Sequence, residues 1–212
     1  MATLHNGILG GFTGRVGNII GYRCEPGYCI RQRPARSLKP ATDKQLAQQM
    51  RMAMTGAFVR GLAPLLKPLP RHRKRTASQR LRSQILKEAF IGEYPDLQIH
   101  YSAIRVTSGT LYKGCCHTMT EENGNLRFRW SMGAHNCITR GTAVLLAYDP
   151  LTKQWIRNLT ADDACSGSAL LEIPSCFYGV PLETYMFFVS PDRKSVSDSV
   201  YTGRVGVAMP CC

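Results

Sequence analysis

The spacing of apolar positions changes along the chain, and those changes divide it. From Gly7 to Gly21 a glycine recurs every one to four residues, and the apolar residues between them follow no helical period. Glycine at that density costs too much backbone freedom for a stable helix. Asn18 to Cys24, then Glu25-Pro26-Gly27-Tyr28, then Cys29 to Pro34 reads as two short strands about a turn. A two-stranded hairpin alone is marginal in water, so this one needs a surface to lie against. Residues 1–40 are therefore predicted as a glycine-rich arm and hairpin.

Helical spacing begins after Pro40. Thr42 and Gln45 have the spacing of a capping box, and Leu46, Met50, Ala53, Ala57, Phe58 and Leu62 trace one helical face. Met50, Met52 and Met54 suit core or interface filling. Pro64, Pro68 and Pro70 are expected to break this helix. Thr76 and Gln79 repeat the box, and Leu81, Ile85, Ala89 and Phe90 mark a second amphipathic helix ending at Gly92. Residues 41–93 thus read as a helical hairpin. From Asp96 the period becomes two. Strands are predicted over Leu97–Val106, Asn125–Ser131, Thr142–Asp149, Gln154–Leu159, Ser168–Ile173, Glu183–Ser190 and Ser195–Thr202. Glu122-Asn123-Gly124, Asp149-Pro150 and Ser190-Pro191-Asp192 supply turns between them. Short strands at this spacing predict an immunoglobulin- or fibronectin-like antiparallel β-sandwich over 94–208, with Trp130 in its core and 209–212 as a tail. A small β-barrel would read much the same. The fold class is α+β.

Charge sharpens the division. The chain has 212 residues and a formal net charge of +13. All of that excess lies in residues 1–93, while 94–212 balance to zero. Arg15, Arg23, Arg31, Arg33, Arg36 and Lys39 lie on the arm and hairpin; Arg71-His72-Arg73-Lys74-Arg75, Arg80 and Arg82 lie between and on the helices. Arg31 and Arg33 share a strand face by alternation, with Tyr22 and Tyr28 near. Basic residues interleaved with glycine and aromatics suit phosphate-backbone contact with little base reading. A solvated basic surface, or one meeting an acidic protein neighbour, is the alternative. With 44% of residues hydrophobic, collagen-like, coiled-coil and wholly disordered classes are excluded.

Candidate chemistry is sparse. The glycine run lacks the G-K-[ST] end of a phosphate-binding loop and the spacing of a dinucleotide fingerprint; glycines that let a backbone approach a neighbouring surface closely explain it more simply. No nucleophile elbow, H-E-x-x-H or S-x-x-K occurs. Nine cysteines are an odd count without regular spacing. Cys24 and Cys29 are expected to face each other across the hairpin, as free thiols in a reducing cytosol or, as the alternative, as a cross-strand disulfide. Cys115-Cys116-His117 with His135 and Cys137 offers soft ligands without zinc-type spacing. Asp162-Asp163 reads as a solvated turn, and Cys211-Cys212 as a frayed end. The first residues lack the basic and apolar regions of a secretory signal, Ala2 excludes myristoylation, and no run reaches the ~18–20 apolar residues of a membrane span. Synthesis in the cytoplasm is the expectation.

Gly7-Ile-Leu-Gly-Gly-Phe-Thr-Gly-Arg-Val-Gly-Asn, with Arg31, Pro34, Pro40-Ala-Thr42 and Gln45-Leu-Ala-Gln48, carries a resemblance, as do Val144 to Lys153 and Phe187 to Gly203. Over nearly the whole chain these segments resemble a family of basic proteins of about 200 residues, of unknown function, from Bacteroidota bacteria and their mobile elements. That family combines a glycine-rich N-terminal arm with a fibronectin/Ig-like C-terminal domain. The arm pattern is also similar to segments of phage-encoded proteins. The Cys115–His117 insert and the Cys-Cys end depart from the family. The resemblance implies no activity and no catalytic residue; it implies the architecture and a phage or mobile-element setting.

The leading expectation is a non-enzymatic structural or assembly protein of a phage-like particle. Its tether is an arm carrying Gly7, Gly10, Gly11, Gly14, Gly17 and Gly21, and its partners are further copies or other subunits. The first alternative is a DNA- or RNA-binding protein using Arg15, Arg23, Arg31, Arg33, Arg36, Arg71, Arg73, Lys74, Arg75, Arg80 and Arg82. The second is a metal-dependent enzyme using the Cys/His set. No cofactor, small-molecule substrate or membrane is expected.

Overall fold

The computed structural model describes residues 3–4, 10–25, 27–35, 39–70, 75–133, 141–158 and 164–207. They fall into two compact units, Met1–Thr42 and Asp43–Cys212. Gly7, Arg36, Arg71, His72, Arg73, Lys74, His135, Cys137, Asp162, Asp163 and residues 209–212 lie outside the described set.

The first unit is an antiparallel sheet in sequence order: β1 (Thr3–Leu4), β2 (Phe12–Val16), β3 (Ile19–Cys24) and β4 (Gly27–Gln32). The predicted hairpin is β3–β4. Residues 12–16, expected as irregular arm, are instead a strand. Gly14 lies inside it at φ +112°, a backbone conformation that favours glycine. Gly17, at φ +56°, turns β2 into β3 between the paired residues Val16 and Ile19.

The second unit begins with α1 (Asp43–Leu66) and α2 (Ala77–Glu88). The second capping box is present: the Thr76 hydroxyl accepts from the Gln79 amide at 3.3 Å, and the Gln79 side chain accepts from the Thr76 amide at 2.9 Å. Pro64 does not break α1, which runs two residues further. In the last turn a proline removes one backbone bond rather than the ladder. The face that α1 buries is Thr55, Phe58, Val59, Leu62, Leu65 and Leu66, so the predicted stripe holds at Phe58 and Leu62, while Ala53 is exposed. α2 buries Leu81 and Ile85 and stops before β5 (Phe90–Ile91), which pairs with β6 (Gln98–Ile99).

The long strand predicted over Leu97–Val106 is not formed beyond β6; a 3-10 turn at Tyr101–Ala103 follows. Gln84 of α2 takes the place of a strand partner there. Its amide donates to the Ala103 carbonyl at 2.8 Å and its carbonyl accepts from the Arg105 amide at 3.2 Å. Ile104 and Val106 are buried all the same.

Seven strands complete the unit: β7 (Cys115–Glu122), β8 (Asn125–Ser131), β9 (Thr142–Asp149), β10 (Gln154–Asn158), β11 (Ser168–Leu171), β12 (Pro181–Val189) and β13 (Val200–Gly206). They form two sheets of order β11-β8-β7 and β10-β9-β12-β13, all antiparallel. The chain changes sheet after β8, after β10 and after β11, as in immunoglobulin-type sandwiches. The fold is therefore α+β with a β-sandwich C-terminal part. Asn123 and Gly124, both at positive φ, make the two-residue turn between β7 and β8. Trp130 is buried, donates from Nε1 to the Ala164 carbonyl at 2.7 Å, and meets Phe188 edge-on.

Two cores flank the four-stranded sheet. Leu126, Phe128 and Trp130 of β8 meet Leu145, Met186 and Phe188 between the sheets. On the opposite face Val144, Leu146, Tyr148, Tyr185 and Phe187 pack with Phe58, Leu62, Leu66, Leu81 and Ile85 of the helices. The helices share a core with the four-stranded sheet inside one unit. Burial on both faces is why β9 and β12 read as unbroken apolar runs rather than alternating ones.

A candidate interaction surface on the N-terminal sheet

Antiparallel pairing fixes which side chains of the first unit share a face. Arg15 is opposite Ile20, which is opposite Arg31; Tyr22 is opposite Cys29 and Cys24 opposite Gly27. Alternation therefore puts Arg15, Ile20, Tyr22, Cys24, Cys29 and Arg31 on one face. Val16, Ile19, Gly21, Arg23, Tyr28 and Ile30 lie on the other.

The first face gathers charge around an aromatic ring. The Arg31 guanidinium lies 5.6 Å from the Tyr22 ring centroid, within cation–π range. Arg15 is exposed and donates from Nε to the Gly17 carbonyl at 3.2 Å. Arg33 lies beyond β4, where its amide donates to the Asn18 carbonyl at 2.8 Å. Sequence reasoning placed Tyr28 beside this set; the register puts it opposite Arg23 on the other face. Cys24 and Cys29 are diagonal neighbours rather than an opposed pair, because the turn is two residues tighter than expected. Both are free thiols, and the hydrogen bond between them pushes the Cys24 thiol up from its ordinary pKa.

The second face is apolar and open. Val16 is 56% exposed, Ile19 45%, Tyr28 43% and Ile30 66%. Two glycines seat aromatic rings. A Cβ on Gly21 would lie 2.6 Å from the Phe12 ring, and one on Gly11 would lie 1.9 Å from the Tyr28 ring. Close approach is thus the reason for these two glycines, made within the sheet itself. Gly14 and Gly17 serve the backbone at φ +112° and +56°, and Gly10 precedes β2. The alternation of Val16, Ile19 and Ile30 with Arg15 and Arg31 was the signal for this face in the sequence, masked by the glycine count.

The remaining basic residues belong to the second unit. Arg75 and Arg82 are exposed, and Arg80 donates to the Ser108 carbonyl at 3.0 Å. Of the Cys/His set, Cys115 and Cys116 are exposed at a bulge in β7, with Cys116 at φ +53°. His117 spends Nε2 on the Lys113 carbonyl at 2.7 Å. Among the described residues no three His, Cys, Asp or Glu side chains gather as a metal site, and no helix is long and apolar enough to cross a membrane.

Residues 11–203 match the model of a family of unknown function, DUF6266. The chain belongs to that family. The DUF6266 match starts at Gly11, under the Tyr28 ring, and ends within β13, so it takes in both units. No curated protein and no solved structure matches the chain.

Proposed function

We propose that this chain is a non-enzymatic assembly protein whose N-terminal sheet docks face to face on the same sheet of a second copy. The observation that carries this reading is the open apolar face of Val16, Ile19, Tyr28 and Ile30. β-branched and aromatic residues on a sheet face lose water by packing on another sheet, about 10 Å away. A two-fold arrangement lets one patch serve both partners. Charge does not oppose it, because Arg15 and Arg31 lie on the other face and among the described residues this face holds a single cation, Arg23. A two-fold contact uses this patch on both chains and closes at a dimer, the unit from which an assembly is built. Light scattering after size exclusion over a range of concentrations tests this. Wild-type protein should form oligomers on concentration, and Ile30→Asp should stay monomeric with an unchanged unfolding midpoint. A wild-type monomer throughout, or an Ile30→Asp variant that associates like wild type, refutes it.

A second reading is supported by the other face: contact of Arg15, Tyr22 and Arg31 with nucleic-acid phosphates. Each arginine that neutralises one phosphate contributes about −0.9 to the slope of log K against log salt. Arg15→Gln and Arg31→Gln should each flatten that slope by about one, and no binding of DNA or RNA at about 50 mM salt ends this reading. Incorporation into a phage-like particle of a Bacteroidota mobile element rests on the resemblance of residues 7–18 and 187–203. Co-sedimentation of the native chain with particles tests that setting.

A further inference from the structure

Helix α1 contains two glycines with different reasons for being there. A Cβ on Gly61 would lie 2.4 Å from Cδ1 of Trp155, so the close packing of α1 on the indole demands glycine. A Cβ on Gly56 would meet nothing within 4 Å. Glycine inside a helix costs stability relative to alanine, and here no neighbour explains it. What Gly56 borders is a cavity of about 200 Å³ between α1 and α2.

The walls of that cavity are chemically divided. Arg60 of α1 and Arg82 of α2 line it, and neither has an ion-pair partner among the described residues. Met52, Ala63 and Leu86 supply apolar wall, with Met52 half exposed. Thr55 is 1% exposed, and its hydroxyl has no hydrogen-bond partner. A buried hydroxyl without a partner is a standing cost. Thr55 is itself one of the residues that line the cavity.

We propose that this cavity binds a small phosphate monoester. Arg60 and Arg82 hold the dianionic head, the Thr55 hydroxyl donates to it, and a short apolar group lies against Met52, Ala63 and Leu86 over Gly56. Two unpaired guanidiniums offer two forked donor sets and two positive charges, which match a phosphate dianion better than a carboxylate. The local excess of cations adds to the preference. The open volume over Gly56 is what admits the group that the phosphate carries.

Titration calorimetry of the full chain with phenyl phosphate, inorganic phosphate and benzoate tests this. Phenyl phosphate should bind saturably at one site, more tightly than either other probe. Arg60→Gln and Arg82→Gln should each weaken it by roughly tenfold or more, the loss of a charge-assisted hydrogen bond. Gly56→Leu should abolish binding by filling the cavity, while its unfolding midpoint equals or exceeds that of wild type. No saturable binding of phenyl phosphate, equal affinity for benzoate, or binding untouched by Gly56→Leu would each overturn the proposal.

Discussion

Alanine at Gly56 and alanine at Gly61 are expected to move the stability of the second unit in opposite directions. Both positions lie inside α1, where alanine gains ~0.8–1.0 kcal/mol of helix propensity over glycine. At Gly56 nothing subtracts from that gain, since the new methyl meets no atom within 4 Å. At Gly61 the methyl would lie 2.4 Å from Cδ1 of Trp155, well inside the ~3.5–4.0 Å optimum for carbon pairs. The indole cannot swing away freely. Its Nε1 donates to the Phe58 carbonyl at 2.9 Å, and its ring meets Phe58 and Tyr148 at centroid distances of 4.8 and 4.7 Å. Overpacking of this kind costs ~1–3 kcal/mol, which outweighs the propensity gain. For a unit of this size ~1 kcal/mol moves the midpoint by about 2–4 °C. Calorimetric melting should therefore show Gly56→Ala up by a few degrees and Gly61→Ala down. Near-ultraviolet circular dichroism should change for Gly61→Ala alone, reporting the displaced indole. A Gly61→Ala midpoint raised as far as that of Gly56→Ala would refute the packing argument.

Three further outcomes are expected. Gln84→Leu removes both bonds to the Ala103–Arg105 backbone and should cost about 1–3 kcal/mol, with faster amide exchange at Arg105; unchanged exchange there would contradict the strand-like role of Gln84. Gly21→Ala drives a methyl into Phe12 and should loosen the first unit by about 1–3 kcal/mol, seen as faster amide exchange along β2 and β3 while the main melting transition stays put. In alkali, burial raises Tyr101 to about 12 and pushes Tyr148, Tyr185 and Tyr201 up as well, so the folded state holds their protons more tightly than the unfolded chain. That contribution is complete below pH ~10 and is lost as pH rises from there through about 12; midpoints that stay level between pH ~9 and ~11 would count against it.

How much the sequence disclosed depended on whether burial was one-sided. β8 and β9 were legible to the residue: β8 alternates, and β9 is an apolar run bounded by Asp149-Pro150. β7 was missed because it is an edge strand exposing most of Cys115–Glu122, with little apolar signal. The Asn123-Gly124 turn could have located it, since a two-residue turn before a strand implies a strand of similar length behind it. Residues 97–106 misled in the opposite sense. Their alternation records burial of Leu97, Ile104 and Val106, yet a glutamine side chain rather than a strand receives part of the backbone. In the N-terminal sheet the arginines were found by composition. Their division between two faces follows from strand alternation together with the register that pairs β2, β3 and β4. Gly56 and Gly61 are indistinguishable in sequence; only Trp155, far along the chain, separates them.

The double burial of the central sheet has a consequence for how the chain is made. Both cores draw on β12: Tyr185, Phe187 and Val189 face the helices, while Leu182, Met186 and Phe188 face the three-stranded sheet. α1 and α2 leave the ribosome long before that strand exists, and until it arrives their apolar faces have little to cover them. Acquisition of structure in the second unit must therefore wait until synthesis has passed Val189, and prematurely terminated chains would present bare helices to chaperones and proteases. Nonsense or frameshift lesions before this point should act as complete losses, however little of the chain they remove.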